Sequence, residues 1–246
     1  LSRRIWKRKQ EAWDNLDITI VAPSQWLADT ARSSSLFDDS NVHQIPNGID
    51  VSTYRPLPPS TARSLYNISE NKHIVLFGAA NPDDPRKGYD FLTKALAKVE
   101  NQWEDVELVT FGSNPINGGE TNLQNVTHVG HVDEIGLIAL YSAADVFVIP
   151  SLEDNLPNTV LESLACGTPV VSYDIGGIGD MISHRENGFL AEPRDSISLR
   201  DGIHWVLHNG EDGRLEKKAR QSILNGFELH DVAAQYTDLY CDLIEG

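Results

Sequence analysis

From residue 73 onward the chain alternates between short apolar runs and longer segments whose apolar positions return at helical spacing. HIVLFGA, VELVTFG, NVTHVGHV, VFVIP, TPVVSYD and FLAEP read as strands, being largely apolar and rich in β-branched residues. Between them YDFLTKALAKV, EIGLIALYSAA, NTVLESLAC and a short DMISH read as helices. Helices over 196–208, 212–225 and 230–244 follow. Strands that are apolar on both sides need cover on both sides. The alternation therefore predicts an α/β fold, a doubly wound, Rossmann-like parallel sheet.

The first 72 residues carry a different pattern. Residues 1–16 read as a helix, and DITIVAPS as a strand ending at Ser24, which can cap a helix over QWLADTARSSSLF. VHQIP is a second short strand, and Pro46-Asn47-Gly48 a turn. STYRPLPPSTARSLY is proline-rich and polar, as a linker is. The expected organisation is thus a partial α/β unit over 1–48, a linker and domain start over 49–72, and the main domain over 73–228. A last helix, 229–246, is expected to pack toward the first unit.

Charge narrows the partners. Twenty Lys+Arg against 36 Asp+Glu leave a net charge of −16, which argues against non-specific nucleic-acid binding. No run approaches the roughly 20 apolar residues that span a bilayer, and no stretch reads as a secretory signal. The chain begins at Leu1 rather than Met, which suggests a piece of a longer protein. Cys166 and Cys241 lie far apart without a C-x-x-C, and the reduced cytoplasm is the simpler setting. One stretch departs from the acidic pattern: RRIWKRK, with Arg3, Arg4, Lys7, Arg8 and Lys9 around Ile5 and Trp6. It reads first as a solvated helix face and second as a peripheral contact with the anionic inner face of a membrane.

The chemistry concentrates at PSLEDNLPNTVLESLACGTPVVSYDIGG, residues 150–177. A strand ends in a loop holding Glu153, Asp154 and Asn155; a helix opens near Asn158 and Thr159 and carries Glu162. Ligands of open α/β sheets bind outside the carboxyl ends of strands, where helix N-termini attract phosphate. Carboxylates beside such a seat repel phosphate but accept hydrogen bonds from sugar hydroxyls. The combination suits a nucleotide sugar. GAANPDDPRKG places Arg86 and Lys87 at another strand end, where two cations can neutralise a diphosphate, or else pair with Asp83 and Asp84. It is not a P-loop. Glu153 and Asp154 compete for one role. Gly176-Gly177 allows a close backbone approach to a ligand. His128 and His131 flank Gly130 at a strand end where a nucleobase can lie, although solvated histidines are the default reading. His204 and His208 have metal-ligand spacing on a helix but no third ligand nearby, and no D-x-D occurs, so no metal is implied.

Together these segments resemble the retaining, two-domain GT-B glycosyltransferases of family 4. IPNGID with YRP looks like that family's interdomain linker, RKG like its phosphate-binding Lys-Gly, and DNLPNTVLE like its E-x7-E signature. NVTHVGHVDEIGLIALYSAADVFVIPS, ACGTPVV and DIGGIGDMISHRENGFLAEPRD match the remaining segments in order. The resemblance implies a nucleoside-diphosphate sugar as donor substrate, with no other cofactor, and an acceptor glycan or lipid-linked sugar held by the rest of an N-terminal domain. It implies that Lys87 stabilises the diphosphate, Glu162 binds ribose, Asp154 meets donor-sugar hydroxyls, and N–H groups near Asn158 and Thr159 cradle phosphate. Two departures stand out: the first acid is Asp with Glu153 beside it, and Ala79 occupies the family's usual arginine position, which Arg86 would have to replace. A sugar-nucleotide epimerase or a non-catalytic nucleotide-sugar binding module fits the same motifs. Surface polysaccharide or glycoconjugate synthesis is the setting the resemblance implies.

Overall fold

The computed structural model describes residues 2–13, 16–37, 40–78, 84–97, 105–113, 125–210 and 212–245. Its main sheet has six parallel strands: β3 (His73–Gly78), β4 (Val106–Phe111), β5 (Val126–Gly130), β6 (Val146–Ile149), β7 (Val170–Tyr173) and β8 (Gly188–Ala191). They lie in the order β5-β4-β3-β6-β7-β8. The chain moves outward from β3 in one direction, returns to the middle, and moves outward in the other. That reversal leaves a crevice between the carboxyl ends of β3 and β6, the topological switch point at which such sheets bind ligands.

Period-two alternation divides each central strand between two cores. Ile74 and Leu76 of β3 and Phe147 and Ile149 of β6 face α5 (Glu134–Ala143), α6 (Asn158–Ala165) and α8 (Arg214–Leu224). Val75, Phe77, Val146 and Val148 face α4 (Tyr89–Ala97) and α7 (Ser196–Asn209). Each such buried apolar side chain stabilises the fold by about 1.5–3 kcal/mol relative to exposure. The doubly wound, two-layered covering expected from the apolar strands is present.

A smaller parallel pair, β1 (Thr19–Ala22) with β2 (Asn41–Gln44), lies near the N-terminus with α1 (Ser2–Trp13) and α2 (Gln25–Arg32). Ser24 caps α2 by accepting from the Leu27 N–H at 3.1 Å. The last helix, α9 (Leu229–Glu245), packs Val232 and Leu239, with its own Tyr236 beside them, on Ile45 and Val21. No helix among the described residues is long and apolar enough to cross a membrane.

Two local expectations are corrected. The proline-rich stretch is not an open linker throughout: α3 (Pro59–Leu65) forms inside it, with proline at its opening turn, where a missing N–H and a preset φ cost nothing. Its buried Arg63 pairs with Asp145 at 3.0 Å and donates to the carbonyls of Ala143, Glu70 and Lys72. Nor is DMISH a helix; a 3₁₀ turn over Ile178–Asp180 ends on its first residue, and the Asn187 side chain accepts from the Ser183 N–H at 2.8 Å.

Candidate functional site

Two loops close the crevice at the switch point, and the backbone locks them together. The segment after β3 ends in a 3₁₀ turn, Pro85–Lys87, whose Arg86 carbonyl accepts from the Leu152 N–H of the loop after β6 at 2.8 Å. Gly88 follows with φ 68°, and a Cβ there would stand 1.8 Å from the Pro150 carbonyl oxygen. Only glycine permits both the left-handed turn and that approach. The lock presents Lys87 toward Asp154, Nζ to Oδ2 at 3.5 Å.

A second glycine supports the loop from below. Gly176, after β7, has φ 54°, and a Cβ on it would meet the Asp154 carbonyl at 2.0 Å. The Gly177 N–H donates to the Asn155 carbonyl at 2.7 Å. The close approach foreseen for this glycine pair is therefore made to the loop carrying Asp154. Asn155 is also held from the N-terminal unit, its Oδ1 accepting from Ser24 Oγ at 2.6 Å. Asn47 donates to the Asn158 side-chain oxygen at 2.9 Å, and the Asp180 carboxylate accepts from the Gln25 N–H at 2.6 Å.

The acids separate by position. Glu153 is exposed, while Asp154 is part-buried and faces Lys87. Glu162 lies in α6, where the Tyr141 hydroxyl of α5 donates to its Oε2 at 2.9 Å. Burial raises the Glu162 carboxyl above its ordinary range; the Tyr141 hydrogen bond opposes the rise, and Glu134 adds to it. Pro157 precedes α6 and offers no side-chain cap, so the N–H groups at Asn158 and Thr159 are left without a capping side chain.

The other predicted residues spread along the same edge. Arg86 is 69% exposed and forks onto Asp84, Nη2 to Oδ2 at 2.7 Å. That pairing holds the Asp84 carboxyl down at about 2. Asp83 and Ala79 lie outside the described residues. Gly130, with φ 83° and open space around it, ends β5, two strands away from β3, and His131 beside it is exposed. The His204 and His208 rings stack at 5.7 Å, and no group of three or more metal-ligating side chains occurs among the described residues. Cys166 is buried, and burial pushes its thiol up to about 12.

Tyr141 escaped the sequence reading because it sits in an apolar helix and passes for core. A buried tyrosine hydroxyl needs a hydrogen-bond partner, however, and Glu162 was the acid within reach. A cavity of about 570 Å³ lies at the opposite, amino edge of the sheet, lined by Pro56, Leu57, Ala143, Cys166, Glu216 and Arg220. It contains none of Lys87, Asp154, Asn158, Thr159 or Glu162.

Comparison with known proteins bears on the family and the fold. The chain is 29% identical over 223 residues to the D-inositol 3-phosphate glycosyltransferase of Xylanimonas cellulosilytica, covering 82% of this chain and 52% of that protein. It is 32% identical over 179 residues to the phosphatidyl-myo-inositol mannosyltransferase of Mycobacterium leprae, covering 69% and 45%. It thus spans about half the length of these curated relatives. Sucrose-phosphate synthase from Thermosynechococcus elongatus superposes with a TM-score of 0.82 at 26% identity, over 100% of this chain and 62% of that one. Anabaena HepE in complex with UDP-glucose shares the fold, with a TM-score of 0.76 at 20% identity over 98% of this chain and 68% of that one. Residues 71–209 match the family model described as glycosyl transferases group 1. The chain belongs to the group 1 glycosyl transferases, the retaining GT-B glycosyltransferases of family 4.

Proposed function

We propose that this chain binds the donor of a retaining sugar transfer, in which a hexose-type sugar moves from a nucleoside diphosphate to an acceptor hydroxyl. The observation that carries the reading is the Lys87–Asp154 pair at the switch point, beside the uncapped start of α6. Lys87 supplies a point charge where a diphosphate would rest, and the α6 N–H groups supply donors. Asp154 meets donor-sugar hydroxyls, and Glu162 accepts from the ribose. Arg86 would have to leave Asp84 to assist. Gly130 and His131 border the nucleobase. Catalysis is electrostatic stabilisation of the leaving diphosphate, and no step uses a protein nucleophile or a metal.

Residues 1–48 are the end of an acceptor-binding domain, 49–72 the crossing, 73–228 the donor domain, and 229–246 a helix returning to the first unit. The acceptor is a glycan or lipid-linked sugar in surface polysaccharide or glycoconjugate synthesis, at the cytoplasmic face of the membrane. There the basic face of α1, with Arg3, Arg4, Lys7 and Arg8, would meet anionic headgroups. Product analysis of the full-length protein with donor and acceptor tests the reading. Sugar transfer supports it; an epimerised nucleotide sugar, or binding without turnover, overturns it. Thermal shifts with UDP-, GDP-, ADP- and TDP-sugars identify the base.

A further inference from the structure

The carboxylate of Glu162 has two oxygens in different surroundings. Oε2 takes the Tyr141 hydroxyl at 2.9 Å. Among the described residues no group donates a hydrogen bond to Oε1. Tyr141 is fully buried and has little freedom to move. Its ring crosses Phe147 edge-on at 5.2 Å and Phe111 at 6.5 Å, and its carbonyl accepts from Thr168 Oγ1 at 2.6 Å. A hydroxyl so placed is a fixed point, whereas an unanchored glutamate on a helix samples several rotamers.

The surroundings give that fixed point something to do. Glu134 of α5 and Tyr54 of the crossing segment both face Glu162, and Cys166 lies one turn along its own helix. Among these groups Glu134 repels the carboxylate when both are ionised. Burial also disfavours its charge, and the Tyr141 donor opposes that.

We propose that Tyr141 is a positioning residue for nucleotide recognition: it holds Oε2 so that Oε1 meets the ribose hydroxyls. The inference rests on the ribose role of Glu162 proposed above. Tyr141 touches no ligand itself. It selects the rotamer, and its donor hydrogen bond favours the ionised form against the effect of burial.

A pair of ligands separates this role from simple packing. Affinities of UDP, GDP and ADP are measured by calorimetry, and the tightest is compared with its 2′,3′-dideoxy form. Tyr141→Phe keeps the ring and removes only the hydroxyl. It should weaken the ribonucleotide roughly three- to tenfold and leave the dideoxy form unchanged. Its affinity should also begin to fall at higher pH than in the parent, because the donor that favours the ionised acid is gone. Adding the substitution to Glu162→Gln should change nothing further. Equal losses for both ligands, or no loss for either, overturn the inference.

Glu162→Asp gives an arm that leaves the core intact. The shorter acid keeps its charge but cannot span from α6 to both Tyr141 and the ribose, so it should lose the preference for the ribonucleotide. A retained preference counts against the inference. If Glu162→Gln leaves ribonucleotide affinity intact, or if none of the three nucleotides binds, the ribose reading itself fails. A weakened Glu162→Gln beside an unaffected Tyr141→Phe removes only the positioning role.

Discussion

Each edge of the main sheet carries an ion pair beside β3 and β6, and the two pairs are built differently. At the amino edge Arg63, only 11% exposed, meets Asp145 at 3.0 Å and donates to several carbonyls, while Asp145 also accepts from the Ile74 N–H at 2.6 Å. At the carboxyl edge Lys87, 41% exposed, meets Asp154 at 3.5 Å through a single contact. In the first pair a buried guanidinium spends its donors on a carboxylate and on backbone carbonyls, so it holds α3 against the sheet. The second is loose enough to exchange its partner for a ligand. Charge at a strand end therefore does not by itself make a candidate site; the candidate is the end whose ion pair keeps hydrogen-bonding capacity to spare.

The sharpest break of this contrast is Arg63→Ala. It leaves Asp145 without its buried partner and should lower unfolding stability by about 3–5 kcal/mol, measured by denaturant titration, with nucleotide affinity unchanged in the folded fraction. A loss below about 1 kcal/mol would place this pair with ordinary surface pairs. Lys87→Ala should do the reverse. Sugar transfer by the full-length protein should fall roughly 10²–10³-fold, as when one preorganised stabiliser of developing charge is removed. Chemical denaturation should register less than about 1 kcal/mol for that variant. Transfer at the parental rate would sink the leaving-group role.

Glu162 sharpens the comparison because it mixes both characters. Glu162→Ala should weaken nucleoside diphosphate binding by roughly 1–3 kcal/mol, through lost charged hydrogen bonds, as read by calorimetry. Its carboxyl is raised in the folded chain. Nucleotide affinity should therefore hold above that raised value and fall as pH drops through it. Stability runs the other way: the contribution of Glu162 is full below its unfolded pKa and is lost as pH rises through the folded one. Glu162→Gln should remove that loss, so its melting temperature should exceed the parent's in alkaline buffer and match it in acid. An identical pH dependence in both proteins would contradict the burial argument. The smallest effect is expected for Arg86→Ala, whose exposed pairing with Asp84 should leave the melting temperature unmoved.

Much of the fold was legible because its signal is local. Near-continuous apolar strands with helices between them leave few arrangements other than a parallel sheet covered twice, and the six strands appear where the pattern puts them. Local pattern misled at α3, where prolines suggested an open linker and Arg63 instead supplied a buried anchor from a residue type that usually marks the surface. It misled again at DMISH, where a side chain four residues away from Ser183 claims the backbone N–H.

The sequence by itself determined the sheet, its two apolar layers, and which loops carry cations, acids and a helix start. These follow from periodicity and from residue chemistry, which act between near neighbours. Only the tertiary structure decided how those parts meet. It set Asp154 rather than Glu153 against Lys87, turned Arg86 to Asp84, and brought Tyr141 under Glu162. Lys87 and Asp154 lie 67 positions apart in the chain. Their meeting depends on strand order, on Gly88 passing Pro150 and Gly176 passing Asp154 without a Cβ, and no local propensity encodes a distance across a sheet.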